Sequence, residues 1–135
     1  MKIYRVESFH SLMTVKAYVK GPEAVAYPKM LVDTGSLYTI IAQEILEYVG
    51  CSPAQAKERR RIVTASGYEI LPFVKIEQFS CLGLLVKDCS VIAHTLPSGT
   101  YVNGLLGMDF LRQFHIEIKP FSGEIIVRNW QPCLY

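Results

Sequence analysis

The chain lacks cysteine pairs at metal-ligand spacing. Its four cysteines, Cys51, Cys81, Cys89 and Cys133, contain no Cys-x-x-Cys unit, and its three histidines are scattered. Structural-zinc patterns are therefore absent, no metal site or cofactor is expected, and the thiols read as reduced and partly buried. No apolar run approaches the ~20 residues that a membrane helix needs, so no membrane partner is expected. No charge dominates: 14 basic residues stand against 12 acidic ones, for a net +2. That balance argues against nucleic acid and against acidic lipid as partners. The opening Met1-Lys2-Ile3-Tyr4-Arg5-Val6-Glu7 mixes charged and apolar residues where a signal peptide would be continuously apolar. It reads as a strand, and the cytoplasm is the expected location. There is no repeat of fixed period and no low-complexity tract.

What is present is a chain of 135 residues, a length that predicts one domain over 1–135 with a real core. Half of the residues are hydrophobic and the mean hydropathy is +0.23. That is apolar for a small soluble protein, and surface lost in self-association would account for it.

Alternation of apolar and polar residues predicts a mostly β chain. Ile3, Val6 and Phe9 suggest a first strand, with a break over Ser8 to Ser11. Leu12 to Lys20 reads as a second, with Val15, Ala17 and Val19 on one face and Lys16, Tyr18 and Lys20 on the other. Gly21-Pro22 ends it, and Glu23 to Pro28 reads as a loop. Ala42 to Val49 is expected to be helical, since Ile41, Ile45, Leu46 and Val49 share a helical face and Gly50 can stop it. Cys51 to Arg61 reads as a polar connection whose charged end is a solvated strand flank. Ile62 to Leu71 reads as a hairpin with Thr64, Ala65, Ser66 and Gly67 as a small tip; such a tip is either a plain surface turn or a lid over a ligand. Phe73 to Phe79 alternates again, Leu82 to Ala93 reads as two short strands around Lys87-Asp88, and Pro97-Ser98-Gly99 as a turn. Phe110 to His115 reads as a second short helix. Ile116 to Lys119 and Glu124 to Val127 form a last hairpin.

The stretch Lys29-Met30-Leu31-Val32-Asp33-Thr34-Gly35-Ser36 organises the whole. Three apolar residues read as a buried strand that runs straight into a carboxylate. Gly35 is expected to permit a sharp turn through its tolerance of positive φ. A carboxylate at such a place is costly unless hydrogen-bonded or used. The tripeptide Asp-Thr-Gly by itself turns up by chance in about one in forty chains of this length, so the surroundings carry the argument. The pattern of strand, glycine turn and helix occurs twice, over Met30 to Val49 and over Tyr101 to Ile116, with the hairpin between.

In the order Leu31-Val32-Asp33-Thr34-Gly35-Ser36, then Thr64-Ala65-Ser66-Gly67, then Gly104-Leu105-Leu106-Gly107-Met108-Asp109, the chain resembles the retropepsin-like aspartic proteases, in particular small single-domain bacterial members. The resemblance covers about Leu12 to Trp130. It implies an all-β domain with two short helices, closed as a retropepsin-like acid-protease β-barrel. It implies an aspartic-type endopeptidase, a peptide hydrolase acting on polypeptide substrates. Members with one Asp-Thr-Gly build their site from two chains, so the second catalytic carboxyl would be Asp33 of a partner copy in a C2 homodimer. Asp109 matches the family's helix-start residue and not a catalytic one. Thr34 would bond across the dimer, Gly35 would approach the carboxylates, and Ser36 would donate to Asp33. Leu105, Leu106 and Gly107 would pack behind the turn, and Thr64, Ala65, Ser66 and Gly67 would form the flap. Met1 to Phe9 and Arg128 to Tyr135, with Trp130 and Tyr135 as anchors, are the candidate dimer strands. The chain departs from the viral pattern in a glycine-poor flap, in Met108 where the viral enzymes carry Arg, and in the helix over Ala42 to Val49. Fold does not fix function, so a catalytically silent binding or scaffolding module on this fold is the alternative.

Overall fold

Apolar alternation becomes thirteen strands among the described residues, which in the computed structural model are 1–9, 12–97, 99 and 101–130. The N-terminal third holds β1 (Lys2–Arg5), β2 (Glu7–Phe9), β3 (Leu12–Lys16), β4 (Tyr18–Lys20), β5 (Val25–Ala26), β6 (Lys29–Val32) and β7 (Ile40–Ala42). Helix α1 (Gln43–Tyr48) and a 3-10 turn (Pro53–Gln55) lead to the long strands β8 (Glu58–Thr64), β9 (Gly67–Cys81) and β10 (Leu84–His94). Then follow β11 (Gly104–Leu106), helix α2 (Met108–Leu111), β12 (Phe114–Lys119) and β13 (Glu124–Trp130). No helix among the described residues is long and apolar enough to cross a membrane.

A three-stranded sheet runs β1-β13-β12, and a ten-stranded sheet runs β2-β3-β6-β11-β7-β10-β9-β4-β5 with β8 paired to β9. Strands β3 and β4 are separated by Ala17 alone, yet β3 lies beside β6 and β4 beside β9, far apart in that order. One residue spans at most about 3.6 Å, so the sheet must curl until its two ends meet. At the seam the Ala17 N–H donates to the Pro28 carbonyl at 2.9 Å. The result is a strongly curled, half-barrel sheet, which fits the retropepsin-like fold that the resemblance implies. This also explains why Leu12 to Lys20 is two strands where one was expected, while its faces divide as expected: Val15, Ala17 and Val19 are buried.

The barrel's core comprises Val19, Met30, Ile41, Leu46, Ile76, Phe79 and Leu106 among others. Each such side chain contributes about 1.5–3 kcal/mol by leaving water. Phe110 meets Phe79 edge-on at 5.1 Å and Phe114 at 5.2 Å, which fastens α2 and the start of β12 to that core.

Several boundaries differ from the sequence expectation. The loop over 23–28 contains β5, because Val25 and Ala26 pair with Lys20 and Val19. The charged end of the 51–61 connection is already strand β8 from Glu58. The hairpin's return and the Phe73 to Phe79 segment are one strand, β9. Pro72 does not break it, since the β10 pairing begins only at Phe73 and Pro72 has a neighbour on one side alone. The two short strands expected over 82–93 are one, β10, distorted at Asp88 (φ 51°) without ending. Helix α2 is shorter and earlier than expected over 110–115, because Phe114 already pairs with β13. The expected first strand is two, β1 and β2, and the break expected over Ser8 to Ser11 does not begin at Ser8, because Ser8 and Phe9 pair with Met13 and Leu12 of β3. His10 and Ser11 of that break, Ser98 of the expected turn, Cys133 and Tyr135 lie outside the described residues. So does the side chain of Trp130.

Candidate active site

Strand β6 delivers Asp33 to the end of the barrel. It runs parallel to β11, with Leu31 opposite Leu105 and Val32 opposite Leu106. The ladder extends one residue further, as the Asp33 N–H donates to the Leu106 carbonyl at 3.1 Å. The chain then reverses: the Ser36 N–H donates to the Asp33 carbonyl at 3.2 Å. The Gly35 N–H donates to the Asp33 carboxylate Oδ1 at 3.0 Å. Asp33 is half-buried, and Thr34 and Gly35 beside it are exposed. The turn does not use the left-handed conformation expected at Gly35, which is absent from the chain's positive-φ glycines. A Cβ on Gly35 would meet Asp33 Oδ1 at 3.4 Å, an ordinary van der Waals contact, so within one chain neither φ nor space demands glycine there.

The role expected of Ser36 is corrected. Its hydroxyl donates to the Tyr38 carbonyl at 2.8 Å. A serine has a single O–H to give, so it braces the turn and leaves Asp33 to the Gly35 N–H. Helix α2 grips the same loop from behind: the Met108 N–H donates to the Ser36 carbonyl at 2.7 Å, and the Asp109 N–H to the Leu37 carbonyl at 3.0 Å. Leu106 and Gly107 are buried behind the turn, and Leu105 is half-buried.

A second carboxylate completes the bracing. Asp109 accepts from the Thr39 N–H at 3.1 Å and from the Thr39 hydroxyl at 2.7 Å. The same hydroxyl accepts from the Gly107 N–H at 3.2 Å. Burial pushes the Asp109 carboxyl above its ordinary range, against the Thr39 hydrogen bonds that pull it down. The sign follows from linkage. Between the unfolded value and the raised folded value, the native state holds the proton more tightly, so stability falls as pH rises through that window. Asp109→Asn is expected to remove this slope. Melting temperatures of the two proteins across the acidic range check it: parallel pH profiles would show that Asp109 does not contribute.

In front of the turn lies a cavity of about 340 Å³. Asp33, Gly35, Ser36, Leu37 and Tyr38 form its floor, Ile40 and Leu105 its wall, and Arg61, Ile62, Val63 and Thr64 of the β8–β9 hairpin its roof. The hairpin tip is a two-residue turn, Ala65-Ser66, closed by Thr64 opposite Gly67. Gly67 (φ 137°) takes a backbone conformation that side chains rarely adopt. The hairpin's base is anchored where Phe73 meets Tyr38 edge-on at 5.8 Å and carries the Arg60 guanidinium 4.3 Å from its ring centre.

The fold therefore brings Asp33, Gly35, Ser36, Leu105 and Thr64 to one cavity, with Leu106 and Gly107 as backing. It does not bring Ala65, Ser66 or Gly67 to the cavity within one chain. Sequence reasoning missed Leu37, Tyr38, Ile40 and Arg61 to Val63. The available signal was the β-prone pair Ile62-Val63 directly upstream of Thr64, which puts a strand and not only a tip over the site. Among the described residues, no group of three or more His, Cys, Asp or Glu could hold a metal ion.

Residues 15–113 match the family model described as gag-polyprotein putative aspartyl protease. The fold is similar to the crystal structure of a retropepsin-like aspartic protease from Rickettsia conorii, with a TM-score of 0.66 and 20% identity, over 93% of this chain and 88% of that one. No curated protein matches the chain.

Proposed function

The chain belongs to the gag-polyprotein putative aspartyl protease family, a retropepsin-like family, and from that membership we propose that it is an aspartic endopeptidase working as a homodimer. The observation that carries the reading is Asp33 itself. Its carboxylate is held by the Gly35 N–H at 3.0 Å and opens into a cavity roofed by a hairpin.

The chemistry needs a second carboxyl, and the sequence contains one Asp-Thr-Gly. In a C2 dimer the exposed edge of the turn, Thr34 and Gly35, meets its symmetry mate, and two Asp33 side chains face each other. Like charges at such range cannot both ionise, so the pair shares one proton and titrates as a unit. The ionised member takes a proton from a water held between them. The protonated member donates to the carbonyl oxygen of the scissile peptide. Water attacks the carbonyl carbon, a tetrahedral gem-diol forms, and its collapse with proton transfer to the amine nitrogen breaks the C–N bond. The apolar lining from Leu37, Tyr38, Ile40, Ile62 and Leu105 suits apolar side chains on either side of that bond.

The test is cleavage of denatured casein across the acidic to neutral range, with and without a statine-type inhibitor. Cleavage that is blocked by the inhibitor, and whose rate per chain falls on dilution as dimers part, is the expected result. A homogeneous dimer in sedimentation that leaves casein intact at every pH would sink the proposal and leave the binding-module reading.

A further inference from the structure

The β8–β9 hairpin over the Asp33 cavity has little sheet beneath it. The pairing of β9 with β10 ends at Phe73 opposite Ile92, and β8 has β9 as its neighbour. Residues 58–72 therefore form a two-stranded ribbon, a form that is marginal in water without further packing. At its base the ribbon is fixed by the Phe73 ring against Tyr38 at 5.8 Å. Nearer the tip it is fixed by charge, with Glu69 Oε2 lying 3.4 Å from His94 Nε2. Glu69 stands opposite Ile62, and opposed residues of an antiparallel pair share a face. Ile62 is half-buried and belongs to the roof of the cavity, while Val63 beside it is exposed, so this face points inward. His94 is the last residue of β10 and pairs with Ala42 of β7, the strand whose Ile40 forms the cavity wall. The ion pair thus ties roof to wall.

Both partners can exchange protons with solvent, since the His94 side chain is 32% exposed and that of Glu69 51%. An imidazole changes charge between about pH 5 and 8. Below that range the imidazolium attracts the carboxylate; as pH rises through it, the proton leaves and the attraction is lost. The other charges nearby are engaged elsewhere or face away. On β8, Arg60 is bonded to Glu58 at 3.1 Å and lies 4.3 Å from the Phe73 ring centre. Arg59 and Arg61 belong to the outward face, where the Arg61 guanidinium lies 4.8 Å over the Tyr68 ring. Strand β7 carries no titratable residue, and the connection from β10 to β11 contributes Tyr101 alone. On α1, Glu44 and Glu47 are exposed, and Glu47 accepts from Gln43 at 3.0 Å. On β10 itself, Lys87 and Asp88 lie toward the far end. Asp33 is across the cavity, on its floor.

We propose that His94 is a pH-dependent tether for the roof: protonated, it holds Glu69 and keeps the hairpin down over Asp33; neutral, it lets the ribbon swing about the contact of Phe73 with Tyr38. His94 and Glu69 are positioning residues and touch no reacting atom. Their bearing on cleavage rests on the protease reading: the roof is then held on the acidic side, where the carboxyl pair also keeps its shared proton. The tether itself does not need that reading.

The test is amide hydrogen exchange on the full chain at about pH 5.5 and about pH 8, on either side of imidazole titration, corrected for the intrinsic pH dependence of exchange. Residues 59–71 report on the hairpin, and residues 76–81 of β9 serve as the internal reference. Protection of the hairpin relative to the reference should fall about threefold from the acidic to the alkaline value, the size expected of a solvent-exposed ion pair. Glu69→Gln and His94→Gln, each made separately, should give the lower protection at both values. Asp33 and Asp109 are present in both variants, so a change that they cause survives the substitutions. Equal hairpin protection at the two values in the unsubstituted chain, or a fall that either variant retains, overturns the inference. None of these outcomes depends on casein cleavage, so failure here and failure of the protease assignment are told apart.

Discussion

The substitution Asp33→Asn is expected to lower casein cleavage by about 10⁴-fold while leaving the fold intact. The new side chain is nearly isosteric, and its carbonyl oxygen can still accept from the Gly35 N–H now 3.0 Å from Asp33 Oδ1. Asp33 is half-buried and outside the barrel core, so melting temperature should change little. In the proposed dimer, what disappears is every proton the reaction moves, because both members of the pair would come from the same position. Positioned acid–base groups contribute about 10²–10⁴ each, which sets the size of the loss. Mixing the two proteins adds a sharper test. A dimer of one unsubstituted chain and one Asp33→Asn chain has no matched acid and base. With free exchange and equal amounts, cleavage per unsubstituted chain should therefore drop to about half. Cleavage per unsubstituted chain that stays constant on mixing would mean that each chain works alone, and the paired-carboxyl mechanism would be wrong.

Gly107→Ala is expected to destabilise the protein by about 3 kcal/mol or more. An alanine Cβ there would lie 2.4 Å from the Tyr38 carbonyl oxygen, 2.5 Å from its carbon and 2.9 Å from the Thr39 nitrogen. All three atoms are backbone, so no rotamer change relieves the clash. The strand that leads away from the Asp33 turn has to move, and with it the Thr39–Asp109 bonds and the Met108 to Ser36 bond. Activity should fall further than stability alone accounts for, because the displaced backbone carries the floor of the cavity. Gly35→Ala is the control for stability, since its Cβ would meet Asp33 Oδ1 at an ordinary 3.4 Å. Urea denaturation midpoints compare the two. Equal stability of Gly107→Ala and the unsubstituted protein would show that β11 and the turn are not packed as tightly as described.

The mostly β character, the presence of two short helices, the buried faces of β3 and β4 and the position of Asp33 at a strand end were legible in the amino-acid sequence. They depend on local alternation, on glycine and proline, and on one motif, and each of those acts over a few neighbouring residues. The partner of the Ser36 hydroxyl was not legible there: two acceptors lie within reach along the chain, and only the loop's actual path gives it to Tyr38. Tertiary structure alone decided what rests on distant pairings. It curled the sheet through Ala17, fused Phe73 to Phe79 with the hairpin into β9, and stopped α2 at Leu111 so that Phe114 could pair with β13. It also set Arg61 to Val63 over Asp33 and brought Glu69 to His94. Strand neighbours come from segments far apart in the chain, and no local periodicity records which edge each one takes.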